Sequence, residues 1–162
     1  MMSNIRALEE RVFFAREIKP EVNACLQQAV ASANDFEKAR SYLYKARDLD
    51  PDQLEVYIAL YKFCFYRGYL AEAQQVALDA LETAARRGDF DKQWLNLDAD
   101  STDWTVEDGP ARVYLYSLKA LGFIRLRIGN MEGAREVLEI LMKLDPDDRV
   151  GGSVIMSLAE AV

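Results

Sequence analysis

Residues 115–148 read LYSLKALGFIRLRIGNMEGAREVLEILMKLDPDD, and this stretch decides the fold. Its apolar residues recur at helical spacing as far as Ile128. They break at Gly129-Asn130, then resume from Ala134 to Leu144. A 3.6-residue period interrupted by residues that tolerate the left-handed conformation describes two helices and a short turn. Pro146 stops the second helix, because Pro is accepted only in a first helical turn.

The same pattern lies upstream. Leu26, Asn34, Ala39 and Ala46 return 34 positions later as Leu60, Gly68, Ala73 and Ala80, and 61 positions further on come Leu121, Gly129 and Ala134. Leu49-Asp50-Pro51-Asp52 returns as Leu144-Asp145-Pro146-Asp147 at a spacing of 95. These offsets define three 34-residue units, 20–53, 54–87 and 115–148, with a 27-residue insert, 88–114, between the second and third. In the second unit Tyr57, Leu60, Tyr61 and Cys64 share a helical face, Arg67-Gly68 breaks it, and Ala73, Val76, Ala77 and Ala80 resume it. Asn34, Gly68 and Gly129 are the expected left-handed turn residues, and the small Ala39, Ala73 and Ala134 let paired helices approach closely. The expectation is a single all-α domain over 1–162, with helices near 3–18, 21–33, 36–48, 53–67, 70–87, 110–128, 131–144 and 153–161. Residues 3–18 and 149–162 would cap the two ends, with Ser153 capping the last helix.

Composition narrows the function. A net charge of −7 opposes nucleic-acid binding and attraction to anionic membranes. No apolar run approaches the ~20 residues of a membrane span, and charges in the first 20 residues interrupt any signal-type apolar stretch, which points to a cytoplasmic protein. The chain has no histidine, the commonest general base and transition-metal ligand. It also has no Gly-rich phosphate loop, nucleophile elbow or zinc-protease motif, so no catalytic residue, metal or cofactor is expected. Cys25 and Cys64 sit in apolar helical stretches and read as buried, reduced thiols.

The repeat resembles the tetratricopeptide-repeat (TPR) family. Leu118, Leu121-Gly122, Gly129-Asn130, Ala134, Leu138 and Leu144-Asp145-Pro146 occupy consensus places in the third unit. The first unit has Leu26, Asn34-Asp35-Phe36, Ala39, Leu43, Ala46 and Pro51 there. The three units cover 102 of 162 residues. Two departures stand out: Arg125 replaces a preferred aromatic, and Ala85 stands where the second unit should have Pro.

The resemblance implies an α-solenoid of three helix hairpins whose first helices line a concave groove. Inward positions would be Glu55, Ile58, Lys62, Phe65 and Tyr66 from the second unit, and Tyr116, Lys119, Phe123 and Arg127 from the third. The first unit would offer Ala24, Gln28 and Ala31. It further implies a non-enzymatic adaptor or scaffold that binds a protein or peptide partner. The aromatics suit such a groove, and they suit internal packing as well. The family's carboxylate-clamp pattern is missing, with Ala24, Gln28, Ala59, Tyr116 and Ala120 at its places. Small size, acidity and three units also resemble chaperones of type III secretion translocators. Phe13-Phe14 and the apolar C-terminal helix suit a homodimer through one end of the stack.

The insert holds seven acids against two bases, a balance of −5, together with both tryptophans, Trp94 and Trp104. Asp98, Asp100 and Thr102 imitate the start of a calcium loop, but Asp103 and Gly109 stand where Gly and Glu are needed. The insert reads as an acidic surface loop pinned by Trp packing, or as a lid or partner-contacting arm. Because lengthening a loop adds little closure entropy, removal of 90–106 is expected to leave the fold intact.

Overall fold

The computed structural model describes residues 18–161 and pairs helices where the sequence predicts them. They are α1 (Pro20–Ala31), α2 (Phe36–Leu49), α3 (Leu54–Tyr66), α4 (Leu70–Gly88), α5 (Gly109–Ile128), α6 (Met131–Leu144) and α7 (Gly152–Glu160), with a 3-10 turn at Trp94–Asn96. No strand occurs among the described residues, and the protein is all-α. Helix α1 packs on α2, α3 on α4 and α5 on α6. The pairs are joined through α2–α3 and α4–α5, and α7 lies on α6 and α5. The helix expected over 3–18 falls outside the described residues except for Ile18, which precedes α1.

Local chemistry sets the boundaries. Asp35 caps α2 by accepting from the Lys38 amide at 3.1 Å, and Asn130 caps α6 by accepting from the Gly133 amide at 2.9 Å. Gly68 (φ +83°) and Gly129 (φ +93°) turn the chain in the left-handed region, as expected. Asn34 does not adopt that conformation. The first turn closes instead through Ala33 N to Val30 O at 3.2 Å and Asp35 N to Ser32 O at 2.9 Å. Ser153 is not the cap of α7 either. Gly151 precedes the helix, and Asp148 reaches across the turn to accept from the Ser153 amide at 3.0 Å and from its hydroxyl. Those two hydrogen bonds hold the Asp148 carboxyl below its usual pKa.

The missing Pro of the second unit has a structural consequence. With Ala85 in its place, α4 continues to Gly88 and ends on a left-handed Asp89 (φ +57°). The Phe90 amide then bonds back to Ala85 O at 3.0 Å. A Cβ at Gly88 would lie 2.4 Å from the Phe90 ring, so glycine makes room for that side chain.

Ala39, Ala73 and Ala134 are fully buried. A Cβ on Gly122 would meet Leu138 at 2.6 Å, so glycine lets α5 and α6 come close here. Between the first two pairs, Glu72 on α4 gathers three donors. Arg40 of α2 binds it in fork geometry at 2.8–3.1 Å, the Tyr44 hydroxyl donates at 2.8 Å and the Cys64 thiol at 3.3 Å. The Arg40 hydrogen bonds hold the Glu72 carboxyl below its ordinary pKa, whereas burial pushes the Tyr44 phenol and the Cys64 thiol up to about 12. Both Cys25 and Cys64 are buried thiols.

Most side chains of residues 90–106 are exposed, as expected of an acidic loop, and Trp packing pins the insert: Leu97 and Trp104, at 1% and 5% exposure, join the core. The Trp104 indole donates to Asp98 O at 2.8 Å, and its ring meets Phe90 and Tyr114 at 5.1 and 5.9 Å. Lys143 of α6 donates to Leu97 O at 3.2 Å, and Trp94 lies within reach of Glu136 at 3.4 Å. Arg125, the non-aromatic departure, bonds Gln74 and Gly133 O and faces the Trp94 ring at 5.7 Å. The Asp98 carboxylate turns its own loop by accepting from the Asp100 amide and the Ser101 hydroxyl. Loop-closure entropy is therefore the minor effect, and lost burial dominates. Trp104→Ala is expected to cost ~3–5 kcal/mol in urea unfolding, and deletion of 90–106 to leave a molten protein. A cost under about 1 kcal/mol would mean that Trp104 adds little to the core.

The depressed Glu72 pKa has a signed consequence. A carboxyl whose folded pKa lies below its unfolded value of about 4.3 contributes stability above that pH and loses it as pH falls through the folded pKa. Glu72→Gln is expected to cost about 2 kcal/mol at neutral pH, since it removes charge-assisted bonds around a half-buried Arg40. The gap from wild type should close as both are acidified below about pH 4. A pH-independent difference would mean that packing, not charge, is lost.

Candidate functional site

The first helices of the second and third pairs touch through their aromatic residues. Phe65 of α3 and Phe123 of α5 lie 5.1 Å apart with rings tilted by 43°. Beside this contact opens a cleft of ≈ 240 Å³. From α3 it is lined by Tyr61, Lys62, Phe65 and Tyr66, and from α5 by Tyr116, Lys119, Ala120, Phe123 and Ile124. Ile155 of α7 closes one side. Spacing of three and four residues puts each helix's set on one face, so neighbouring turns present a continuous wall.

Six of the nine expected groove residues meet in this cleft: Lys62, Phe65, Tyr66, Tyr116, Lys119 and Phe123. Arg127 does not line it, but its guanidinium lies 5.7 Å from the Phe65 ring centre, and the residue is exposed. Glu55 and Ile58 depart from the expectation. They sit two turns and one turn before Lys62 and are buried at 9% and 8% exposure. The Glu55 carboxylate accepts from the buried Gln53 amide, and Ile58 belongs to the main apolar core. Ala24, Gln28 and Ala31 are exposed on or beside α1 and do not line the cleft.

The close contacts of the two lysines in the cleft are with a ring and a carbonyl, and Lys119 also lies in the field of the Asp148 carboxylate. Lys62 stands 5.0 Å over the Tyr116 ring, and Lys119 donates to Val150 O at 2.8 Å. Tyr61 and Ser117 approach at 3.4 Å, and burial keeps the Tyr61 phenol neutral far above its usual pKa. The insert draws its polar partners from elsewhere: Glu136 and Lys143 of α6, and Arg149, which donates to Thr105 O at 3.3 Å. Sequence reasoning missed Tyr61, Ala120, Ile124 and Ile155. The first three neighbour named residues on their helices and were legible as a face. Ile155 arrives from α7, and no local pattern signals that.

No protein-family model matches the chain. It is 30% identical over 149 residues to the uncharacterized 19.8 kDa protein in nifW 5'region of Azotobacter chroococcum mcd 1, over 91% of this chain and 82% of that protein. The chain belongs to the family of that protein. The part of the chain outside the alignment is shorter than any one helix pair, so the family likeness runs through all three pairs and across the insert. Both cleft-forming helices, α3 and α5, fall within it. Among the described residues no helix is long and apolar enough to cross a membrane, and no three His, Cys, Asp or Glu side chains converge as a metal site.

Proposed function

We propose that this chain is a TPR-like α-solenoid of three helix hairpins, a non-enzymatic adaptor that binds a segment of a partner protein in the cleft between α3 and α5. The observation that carries this reading is the aromatic cleft itself, open to solvent on the face formed by first helices. Tyr66 stands at its edge with 54% exposure, a cost in water that partner contact would recover. Supporting the non-enzymatic part, the chain has no histidine, and burial raises Cys64 far from a reactive thiolate. A cytoplasmic setting agrees with the reduced, buried cysteines.

A second reading is self-association through the C-terminal end. It is favoured by Val154 and Leu158, one turn apart on α7 and 63% and 48% exposed. Sedimentation of the purified chain distinguishes a dimer from a monomer. The Azotobacter relative is described by its place near nifW, so products of genes neighbouring this chain's own are the first baits to try.

A photo-reactive benzoylphenylalanine at Tyr66 tests the main reading against the same group at Lys45, an exposed position on α2. Expression in the native host is expected to give a discrete cross-linked adduct from position 66 and none from 45. Equal labelling at both, or adducts from 45 alone, would remove the cleft from the interaction.

A further inference from the structure

We infer that the occupant of the cleft is an acidic segment that inserts one bulky apolar side chain; this rests on the cleft's being the partner surface. Charge carries the first half. The protein as a whole is at −7, yet α5 bears Arg112, Lys119, Arg125 and Arg127 and no acidic residue. Helix α3 adds Lys62, and its single acid, Glu55, is buried beside Gln53. The sign of the surface therefore reverses at these two helices. Arg112 and Arg125 are turned to Arg149 O and to Gln74 and Gly133 O, which leaves Lys62, Lys119 and Arg127 around the cleft.

No carboxylate lines the cleft, and among the described residues no ion pair within 4 Å engages these three side chains, although Lys119 feels the nearby Asp148 carboxylate. Lys62 and Arg127 instead rest on the faces of Tyr116 and Phe65. Cation–π contact fixes a head group without consuming its N–H donors. Lys119 uses one of its donors on Val150 O and retains two. Cations held in place with donors to spare match carboxylates of an incoming chain, at little further entropic cost. A basic segment would be drawn to the insert, where the balance is −5.

Shape carries the second half. Around the cations the walls are Phe65, Tyr66, Tyr116, Phe123 and Ile124, and the ≈ 240 Å³ between them lies below the ~300–1,000 Å³ of small-molecule sites. The space suits a single Leu, Phe or Trp side chain of a longer segment.

Selection from a random-peptide phage library against the full chain tests this, run in parallel on Ala120→Trp, which fills the cleft. Enriched peptides are expected to carry acids flanking a Leu, Phe or Trp and to be lost on the filled variant. A synthetic representative should bind Lys62→Glu/Arg127→Glu roughly tenfold or more weakly by fluorescence anisotropy. If Ala120→Trp loses helicity, Tyr66→Ala at its exposed position replaces it. Basic or neutral peptides that are enriched and lost on the filled variant would overturn the acidic assignment while leaving the cleft as the partner surface. Enrichment that survives filling, or no enrichment, would overturn both.

Discussion

The molecule depends on the packing of α4 against α5. A helix hairpin exposes an apolar face that only the next hairpin can cover, so a stack holds together through its joints. This joint has to bridge a non-helical detour that separates the two helices in sequence. The detour closes it from the inside: Phe90, given room by Gly88, meets Trp104 and Tyr114 edge to face, and Leu97 is buried against α6, where Lys143 donates to its carbonyl. Because α3 is paired to α4 and α5 is packed on α4, the distance across the cleft between α3 and α5 follows from this joint. The site is thus positioned by residues that do not touch it.

The other joint uses different chemistry. Between the first and second pairs, Glu72 collects an arginine, a phenol and a thiol, while Phe36 of α2 stacks between Phe63 and Tyr69 at 5.1 and 4.1 Å. The half-buried carboxylate is specific because its three donors come from two different helices, and it contributes only while ionised. The aromatic stack beside it is indifferent to pH. One joint of the molecule is therefore electrostatically tuned and the other is largely apolar.

Much of this was legible in the sequence. The repeat of Leu, turn residue and Ala located every described helix of the three pairs, and the helix expected near 110 starts at Gly109. Asn34 and Ser153 were judged by local propensity, and neighbouring groups decided the outcome: main-chain bonds of Ala33 and Asp35 close the first turn, and Asp148 accepts from the Ser153 amide and hydroxyl. In the insert the expected tryptophan packing is made by Trp104, which meets Phe90 and Tyr114 in the core while the acidic side chains stay outside. For the cleft, the family resemblance named six residues that line it, Lys62, Phe65, Tyr66, Tyr116, Lys119 and Phe123, while Arg127 stands outside it. It could not show that Glu55 and Ile58 lie where the stack is closed, or that α7 contributes Ile155, because both depend on how neighbouring helices cross.

The claim that most needs testing is that the stack is continuous across the insert. Native-state hydrogen exchange measures it residue by residue, since slow amides report the cooperative unit to which they belong. The account predicts that core amides of α3–α4 and of α5–α6 share one opening free energy, and that Trp104→Ala lowers both together. If α5–α6 opens well before α3–α4 and Trp104→Ala affects only that half, the two sides of the cleft are not held as one body and the account fails.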